Sequence, residues 1–196
     1  MNTKSFPWLP HHCYPIDYTI DRDKFNESVE ILLKRLSINY DSQSHFSINL
    51  SHLPKATGTD RWQKFTGYRE EYEKHGVTEK NFTEDLEEIK DLYIGQVISE
   101  VRKQHKGKLQ GRNQLIWLGA GRVYSLHQDL HSPIRYHIPF VTHKDCYWKF
   151  VVDKVICQIH MPADNRVWFV NTATLMHTVV NDSPISRCHL LISSCK

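Results

Sequence analysis

The stretch that decides the fold begins with NQLIWLGAG (113–121) and continues with RVYSLHQDL (122–130). From here to residue 194, short runs of β-branched and aromatic residues are separated by glycine, proline, asparagine and serine. The later runs are RYHIPFVTH (135–143), YWKFVVDKVICQIHM (147–161), RVWFVNTATLMHTVV (166–180) and RCHLLISS (187–194). Short strands with frequent turn signals are typical of a β-barrel or a two-sheet jelly roll. The sequence therefore predicts a β-rich core over residues 113–196.

The N-terminal half has a different pattern, in which two stretches favour helices. Residues 22–36 place apolar side chains three and four positions apart, which indicates one buried helix face. Residues 82–105 repeat this pattern after Asn81, which fits an N-cap because Glu84 stands at the N3 position. Between them, residues 44–53 alternate apolar and polar side chains, which predicts a half-buried strand.

Residues 54–80 are polar and irregular, with aromatic residues three or four positions apart among charges. They are either a short surface helix docked by its aromatic side chains or a lid over an active site. We expect one α+β domain over residues 1–196. In it, residues 1–112 form a mainly helical buttress and possible lid against the core of residues 113–196.

Composition excludes several classes of protein. The net charge of +3 is too small to argue for nucleic acid, and the basic stretch 102–112 suits a solvated helix end better than an RNA-binding patch. No apolar run approaches the ~20 residues of a membrane span. The five cysteines form no CxxC pair, which argues against a zinc knuckle. Because the N-terminus does not read as a secretory leader, we expect reduced thiols and a cytoplasmic location.

Histidines cluster in the β-rich half, where metal chemistry is most plausible. Five of the 13 histidines lie in one window: His127, His131, His137, His143 and His160. On a strand, residues i and i+2 point to the same side, so His127 and Asp129 would present an imidazole and a carboxylate to one point. By itself an HxD pair is also compatible with a packed core histidine.

Two further segments add polar groups to this point. In residues 134–140, the alternation puts Arg135 and His137 on one face of a strand, which requires an anionic or metal-bound partner if that face is buried. In residues 175–191, a turn at Asn181–Pro184 predicts a hairpin. Cross-strand pairing about that turn would place His177 beside Arg187.

Two histidines and one aspartate with open coordination positions are the ligand set of non-haem Fe(II) oxygenases. His127, Asp129 and His177 match this set. A bidentate cosubstrate and O2 would take the remaining positions, and the guanidinium of Arg187 suits a cosubstrate carboxylate because it stays charged and bonds as a fork.

In combination, three motifs resemble the aspartyl/asparaginyl β-hydroxylase family. They are HQD (127–129), RYHIPF (135–140) and a histidine followed ten residues later by RCHL (187–190). Members of this family are 2-oxoglutarate/Fe(II)-dependent dioxygenases with a double-stranded β-helix core. The resemblance covers about residues 113–194.

The resemblance implies a role for each matching residue. The implied iron ligands are His127, Asp129 and His177. Arg187 would bind the distal carboxylate of 2-oxoglutarate, while Arg135 and His137 would line the cosubstrate pocket. The implied reaction is hydroxylation of an unactivated C–H bond in an amino acid or a peptide residue.

Two other functions remain open at this point. One is a cupin-type metalloenzyme with the same ligands and no 2-oxoglutarate, in which Arg187 would have no required role. The other is a non-enzymatic jelly-roll module that binds RNA or another ligand, which would leave the histidine and aspartate cluster unexplained. The sequence gives no indication of the substrate's identity or of the oligomeric state.

Overall fold

The computed structural model describes residues 12–64, 66, 74–104, 111–129, 134–152 and 154–194. In these residues the chain is mostly β-sheet with few helices. The strands, in chain order, are β1 (Cys13–Thr19), β2 (Ser47–Asn49), β3 (Ser51–His52), β4 (Glu84–Asp85), β5 (Gln114–Leu118), β6 (Ile134–Val141), β7 (Cys146–Val152), β8 (Val155–Ile159), β9 (Arg166–Val170), β10 (Met176–Asn181) and β11 (Arg187–Ser194). The helices are α1 (Arg22–Arg35), α2 (Asp60–Gln63) and α3 (Tyr93–Gln104).

Within the described residues, two sheets build the β-rich part of the molecule. The larger is antiparallel, with strand order β1-β9-β6-β11-β5-β2, and the smaller has the order β10-β7-β8. Strands β3 and β4 form a separate two-stranded ladder. Consecutive strands therefore alternate between sheets near the C-terminus, because β9 and β11 belong to the larger sheet whereas β10 belongs to the smaller.

One face of the larger sheet is apolar, and the other carries both polar and apolar side chains. On the apolar face, Tyr136, Ile138 and Leu190 pack in one core with α1 and α3. On the other face, His137 contacts Trp148 of the smaller sheet with 4.8 Å between ring centroids. The alternation predicted for residues 134–140 is confirmed, and its polar side lies between the two sheets.

Helix α1 confirms the helix predicted over residues 22–36. Its N-cap is Asp21, whose side chain accepts a hydrogen bond from the Lys24 N–H at 3.2 Å. The buried face includes Phe25, Val29 and Leu32, at the spacing that the sequence indicates. Ser28 on the same face accepts a hydrogen bond from the Ile94 N–H at 3.1 Å, and so satisfies one free donor at the start of α3.

The helix predicted over residues 82–105 begins much later, at Tyr93, so the predicted N-terminus is wrong. Glu84–Asp85 pairs instead with β3, and the Leu86 N–H donates to the Leu50 carbonyl at 3.0 Å. A 3₁₀ turn at Glu87–Ile89 follows. Backbone groups that a helix needs for its own bonds are therefore committed to a neighbouring strand, and this tertiary pairing overrides the local apolar periodicity.

Two other local predictions need correction. Residues 122–130 do not form a strand in their described part, whose backbone pairing with β10 is limited to isolated bridges at Val123 and His127. The hairpin about Asp182 is also wrong, because β10 pairs with β7 and β11 pairs with β5 and β6. His177 and Arg187 thus approach each other from opposite sheets rather than across one hairpin.

The segment over residues 54–80 is described only in part. It contains α2, whose Trp62 packs partly buried against the main apolar core. This agrees with a docked surface helix, while three of the four aromatic residues of that prediction (Phe65, Tyr68 and Tyr72) lie outside the described residues. The basic positions 105–110 lie outside them too. In the described parts of the chain no helix has the length and apolar character to cross a membrane.

Asn181, at the end of β10, ties the two sheets together. Its buried amide nitrogen lies within hydrogen-bonding distance of the carbonyls of Leu118 (2.8 Å), Gly119 (3.0 Å) and Ile185 (2.8 Å).

We expect Asn181→Ala to lower the free energy of unfolding by about 3 kcal/mol, because these acceptors become unsatisfied in the interior. Urea denaturation measures this change. The exposed neighbour gives the control Asp182→Ala, which should cost less than about 1 kcal/mol, and equal losses in the two variants would contradict the role of Asn181.

Candidate metal centre

A pair of backbone hydrogen bonds brings two distant histidines together. The His127 N–H donates to the His177 carbonyl at 3.0 Å, and the His177 N–H donates to the His127 carbonyl at 2.8 Å. The imidazole centroids consequently lie 4.5 Å apart. The Asp129 N–H donates to the Thr172 carbonyl at 3.0 Å, which fixes the carboxylate beside them.

The three side chains converge on one point, as the sequence predicts. The prediction assumed a strand at His127 and a hairpin at His177, whereas the structure brings the residues together through isolated backbone bonds. One candidate ligand atom from each of His127, Asp129 and His177 lies within 4.8 Å of the others. The Nε2 atom of His127 is 3.4 Å from Oδ1 of Asp129, and that of His177 is 3.8 Å from Oδ2. Side-chain exposure falls from 40% at His127 to 11% at Asp129 and 2% at His177. The cluster therefore opens to solvent on the His127 side.

The outer ring nitrogens fix which way the imidazoles face. Nδ1 of His127 lies 2.7 Å from the Ser125 carbonyl, and Nδ1 of His177 lies 3.0 Å from the Leu175 carbonyl. Because a carbonyl oxygen only accepts, each Nδ1 carries the proton in these bonds, and in a neutral ring the Nε2 lone pair points toward Asp129. Such outer hydrogen bonds are usual for metal-binding histidines.

Electrostatics favour the protonation states that a metal needs at Asp129 and His177, but not at His127. Burial raises the pKa of the Asp129 carboxyl, but the Arg135 guanidinium and the bond to His127 outweigh it, so this pKa lies below its usual range. Burial lowers the pKa of His177 to about 4, which leaves its ring neutral. The hydrogen bond to Asp129 raises the pKa of His127.

A cation fits between these groups. The neutral Nε2 of His177 and the ionised Oδ2 of Asp129 are both acceptors, yet they face each other. Among the described residues Oδ2 accepts no hydrogen bond, although it makes an ion pair with Arg135. Two imidazoles and one carboxylate with an open side suit a divalent transition metal. In octahedral coordination with short metal–ligand bonds, adjacent donors lie ~3 Å apart, close to the spacings found here.

Arg187 lies deep between the sheets behind this cluster. It is 4% exposed, its Nη2 donates to Nδ1 of His189 at 2.7 Å, and its guanidinium lies 5.8 Å from the Trp148 ring. Burial lowers the pKa of Arg187 to about 10, so the group remains charged near neutral pH. No carboxylate of the described residues pairs with it. An interior cation without an anion is costly, which points to an anionic ligand at this position.

His137 lies between the candidate metal site and Arg187. Its ring contacts Trp148 edge-on, and neither of its ring nitrogens has a hydrogen-bond partner within the described residues. Burial, together with the charge of Arg187, holds the pKa of His137 well below its ordinary value. The ring is therefore neutral and has both a donor and an acceptor available to a ligand.

Arg135 connects the cluster to a part of the chain that the sequence did not single out. Its Nε lies 3.2 Å from Oδ2 of Asp129, and one of its terminal nitrogens lies 3.2 Å from Oε1 of Glu79. No motif marked Glu79. Trp148, which walls the site at 5.4 Å from the His177 ring, is recognisable in sequence only by the alternation of residues 147–151.

The remaining histidines of the window lie elsewhere or outside the described residues. His143 forms an ion pair with Asp145 at 3.3 Å, and His160 bonds through Nδ1 to the Cys146 carbonyl at 2.8 Å. Neither belongs to the candidate ligand set. His131 lies outside the described residues.

Comparisons with known proteins establish a fold but no family. No family model matches the sequence, and no curated protein matches it. Among solved structures, a Pseudomonas putida prolyl-4-hydroxylase superimposes with a TM-score of 0.52 at 10% identity, covering 96% of each chain. A Bacillus thuringiensis protein named IDO gives the same TM-score, identity and coverage. The chain thus shares the fold of these two solved structures at low sequence identity.

Metal titration tests this site directly. We expect Mn(II), an oxygen-stable probe, to raise the melting temperature of the wild type in a concentration-dependent manner, since a ligand of the folded state stabilises it. Asp129→Ala should weaken Mn(II) binding by more than about 100-fold, because it removes a ligand. The control His143→Ala should bind as the wild type does. Equal affinity of Asp129→Ala and the wild type would contradict the assignment.

Proposed function

We propose that this chain is a 2-oxoglutarate/Fe(II)-dependent dioxygenase with a double-stranded β-helix core. It hydroxylates an unactivated C–H bond of an amino acid or of an amino-acid residue. The observation that carries the proposal is a pair of facing acceptors, at His177 and Asp129, in front of a buried Arg187 that no described carboxylate neutralises. The first offers donor atoms to a metal cation, and the second favours an anion.

Fe(II) would be held by His127, Asp129 and His177. With O2 and 2-oxoglutarate, iron supplies the oxidising chemistry, in which the cosubstrate becomes succinate and CO2 and the substrate gains a hydroxyl group. The protein holds both imidazoles with Nε2 inward through the carbonyls of Ser125 and Leu175. Substrate and O2 reach the site from the His127 side, where exposure is greatest.

Arg187 is the partner for the distal carboxylate of 2-oxoglutarate. A guanidinium bonds a carboxylate bidentately, and burial strengthens that pairing relative to water. Trp148 lies against both Arg187 and His177, so one ring shields both the anion and cation positions from solvent. A five-carbon diacid suits this arrangement, because its two ends carry the groups that the metal and the arginine each bind.

Arg135 and His137 lie between these two ends and line the cosubstrate pocket in this proposal. His137 is neutral and offers unpaired ring nitrogens, so it contributes hydrogen bonds without adding charge. Arg135 balances the charge of Asp129. This matches the roles that the resemblance to the aspartyl/asparaginyl β-hydroxylase family implies for both residues.

The substrate class follows from the same resemblance and from the likeness in fold to a prolyl-4-hydroxylase. An amino acid or a short peptide is the proposed partner, and a cytoplasmic location stays a prediction.

A cupin-type metalloenzyme without 2-oxoglutarate is disfavoured because it leaves the Arg187 charge without a use. A non-enzymatic binding module is disfavoured because it leaves the facing acceptors of His177 and Asp129 without a cation.

Succinate release from 2-oxoglutarate tests the reaction, measured with anaerobically loaded Fe(II) protein, added O2 and a panel of free amino acids and peptides. In Arg187→Met we expect KM for 2-oxoglutarate to rise by about 100-fold while Mn(II) affinity stays unchanged, because only the carboxylate partner is lost. A matched control is Arg166→Met, since Arg166 also lies over a tryptophan, at 5.1 Å from the Trp168 ring. That variant should keep the wild-type KM.

Two results would count against the proposal in different ways. An unchanged KM in Arg187→Met would contradict the cosubstrate site. Wild-type protein that binds metal but releases no succinate above background with any member of the panel would contradict the hydroxylase activity.

A further inference from the structure

A buried carboxylate outside the ligand set is connected to the candidate metal centre. Glu79 has a side-chain exposure of 6%, and its Oε1 lies 3.4 Å from a terminal nitrogen of Arg112 and 3.2 Å from one of Arg135. Arg135 in turn lies 3.2 Å from Oδ2 of Asp129. A continuous chain of charged groups thus runs from residue 79 to a proposed iron ligand.

Both arginines come from the same end of the larger sheet. Arg135 pairs with Ser193 of β11, and Arg112 precedes by two residues Gln114, which pairs with Leu191 on the same strand. These positions therefore bring two guanidinium groups to the same end of the larger sheet. Glu79 reaches them from a separate segment and contacts both with a single oxygen atom.

The turn that carries Glu79 is itself fixed. Glu79–Asn81 forms a 3₁₀ turn in which the side chain of Asn81 accepts a hydrogen bond from the Thr78 N–H at 2.7 Å. An arginine side chain has several rotatable bonds, so it holds a defined position only where its head group is anchored. Glu79 anchors one end of the Arg135 guanidinium while its Nε faces Asp129.

We propose that Glu79 is a positioning residue for the metal centre, which holds Arg135 against Oδ2 of Asp129 and so fixes the orientation of this carboxylate toward the two histidines and the metal. This inference rests on the proposed function, because it assigns Asp129 as a ligand. Glu79 also supplies negative charge that offsets the two arginines beside a divalent cation. Loss of the Glu79 carboxylate removes one contact that holds Arg135 in this position, so Arg135 competes with the metal for the Asp129 carboxylate.

Two substitutions separate the effect of the Glu79 charge from the effect of its hydrogen-bond acceptor. Glu79→Gln keeps an oxygen acceptor at Oε1 and removes the charge, whereas Glu79→Ala removes both. Partners of metal ligands typically affect metal affinity by 10–100-fold when they are lost. We expect Mn(II) to bind Glu79→Ala about 10–100-fold more weakly than the wild type, with Glu79→Gln between the two.

A matched control exists in a second acidic residue on a 3₁₀ turn. Glu88 binds Arg61 through both oxygens at 3.0 and 2.5 Å, and it contacts no residue of the candidate site among its described partners. Glu88→Ala should lose stability without loss of Mn(II) affinity. The measurements are Mn(II) binding by electron paramagnetic resonance and thermal unfolding of the metal-free full chain.

The outcomes distinguish this inference from the proposed function. Graded loss of affinity, with Glu79→Gln partly rescued and Glu88→Ala unaffected, supports the positioning role. Wild-type affinity in both Glu79 variants, or an equal loss in Glu88→Ala, would overturn it and leave the proposed function in place. Absence of Mn(II) binding by the wild type would overturn the proposed function, and with it this inference.

Discussion

Two backbone hydrogen bonds between His127 and His177 are the constraint on which the site depends. They join an irregular segment to β10 at an isolated bridge, and one further bridge at Val123 and Val180 links the same two segments. Both imidazoles then face Asp129, whose own N–H is bonded to the Thr172 carbonyl. Backbone bonds set this geometry at little cost in side-chain entropy, so the donors are arranged before any ligand arrives.

The space between the two sheets holds charged side chains as well as an apolar cluster, and most of these charges have a partner of opposite sign. Buried charges are tolerated when a partner neutralises them. Within the described residues, Arg112 and Arg135 have Glu79, and Asp129 has Arg135. Arg187 has a neutral histidine and a tryptophan face, but no acid. The described charges are therefore balanced except at Arg187, where an anion such as a dicarboxylate would complete the arrangement.

The spacing of residues in the sequence predicted those features of the site that depend only on neighbouring residues of one segment. The alternation that puts His137 on the polar side of β6 follows from strand geometry alone. His127 does lie beside Asp129, but backbone bonds to His177 and Thr172 place these two residues, since their segment is not a strand. Predictions that needed non-local pairing were less successful. The sequence pattern predicted a helix for the stretch before Tyr93, but part of its backbone pairs with β3 instead. Glu79 had no motif at all, because its importance arises only when separate segments bring it to two arginines.

The central claim is that this cluster holds iron and presents it to a keto acid whose far carboxylate binds Arg187. Anaerobic absorption spectroscopy of the Fe(II)-loaded protein tests it most directly, because chelation of iron by the keto acid produces a visible charge-transfer band. We predict that 2-oxoglutarate produces this band in the wild type, that His177→Ala abolishes it, and that Arg187→Met requires a far higher 2-oxoglutarate concentration. A wild-type protein that shows no band at saturating Fe(II) and 2-oxoglutarate would contradict the account.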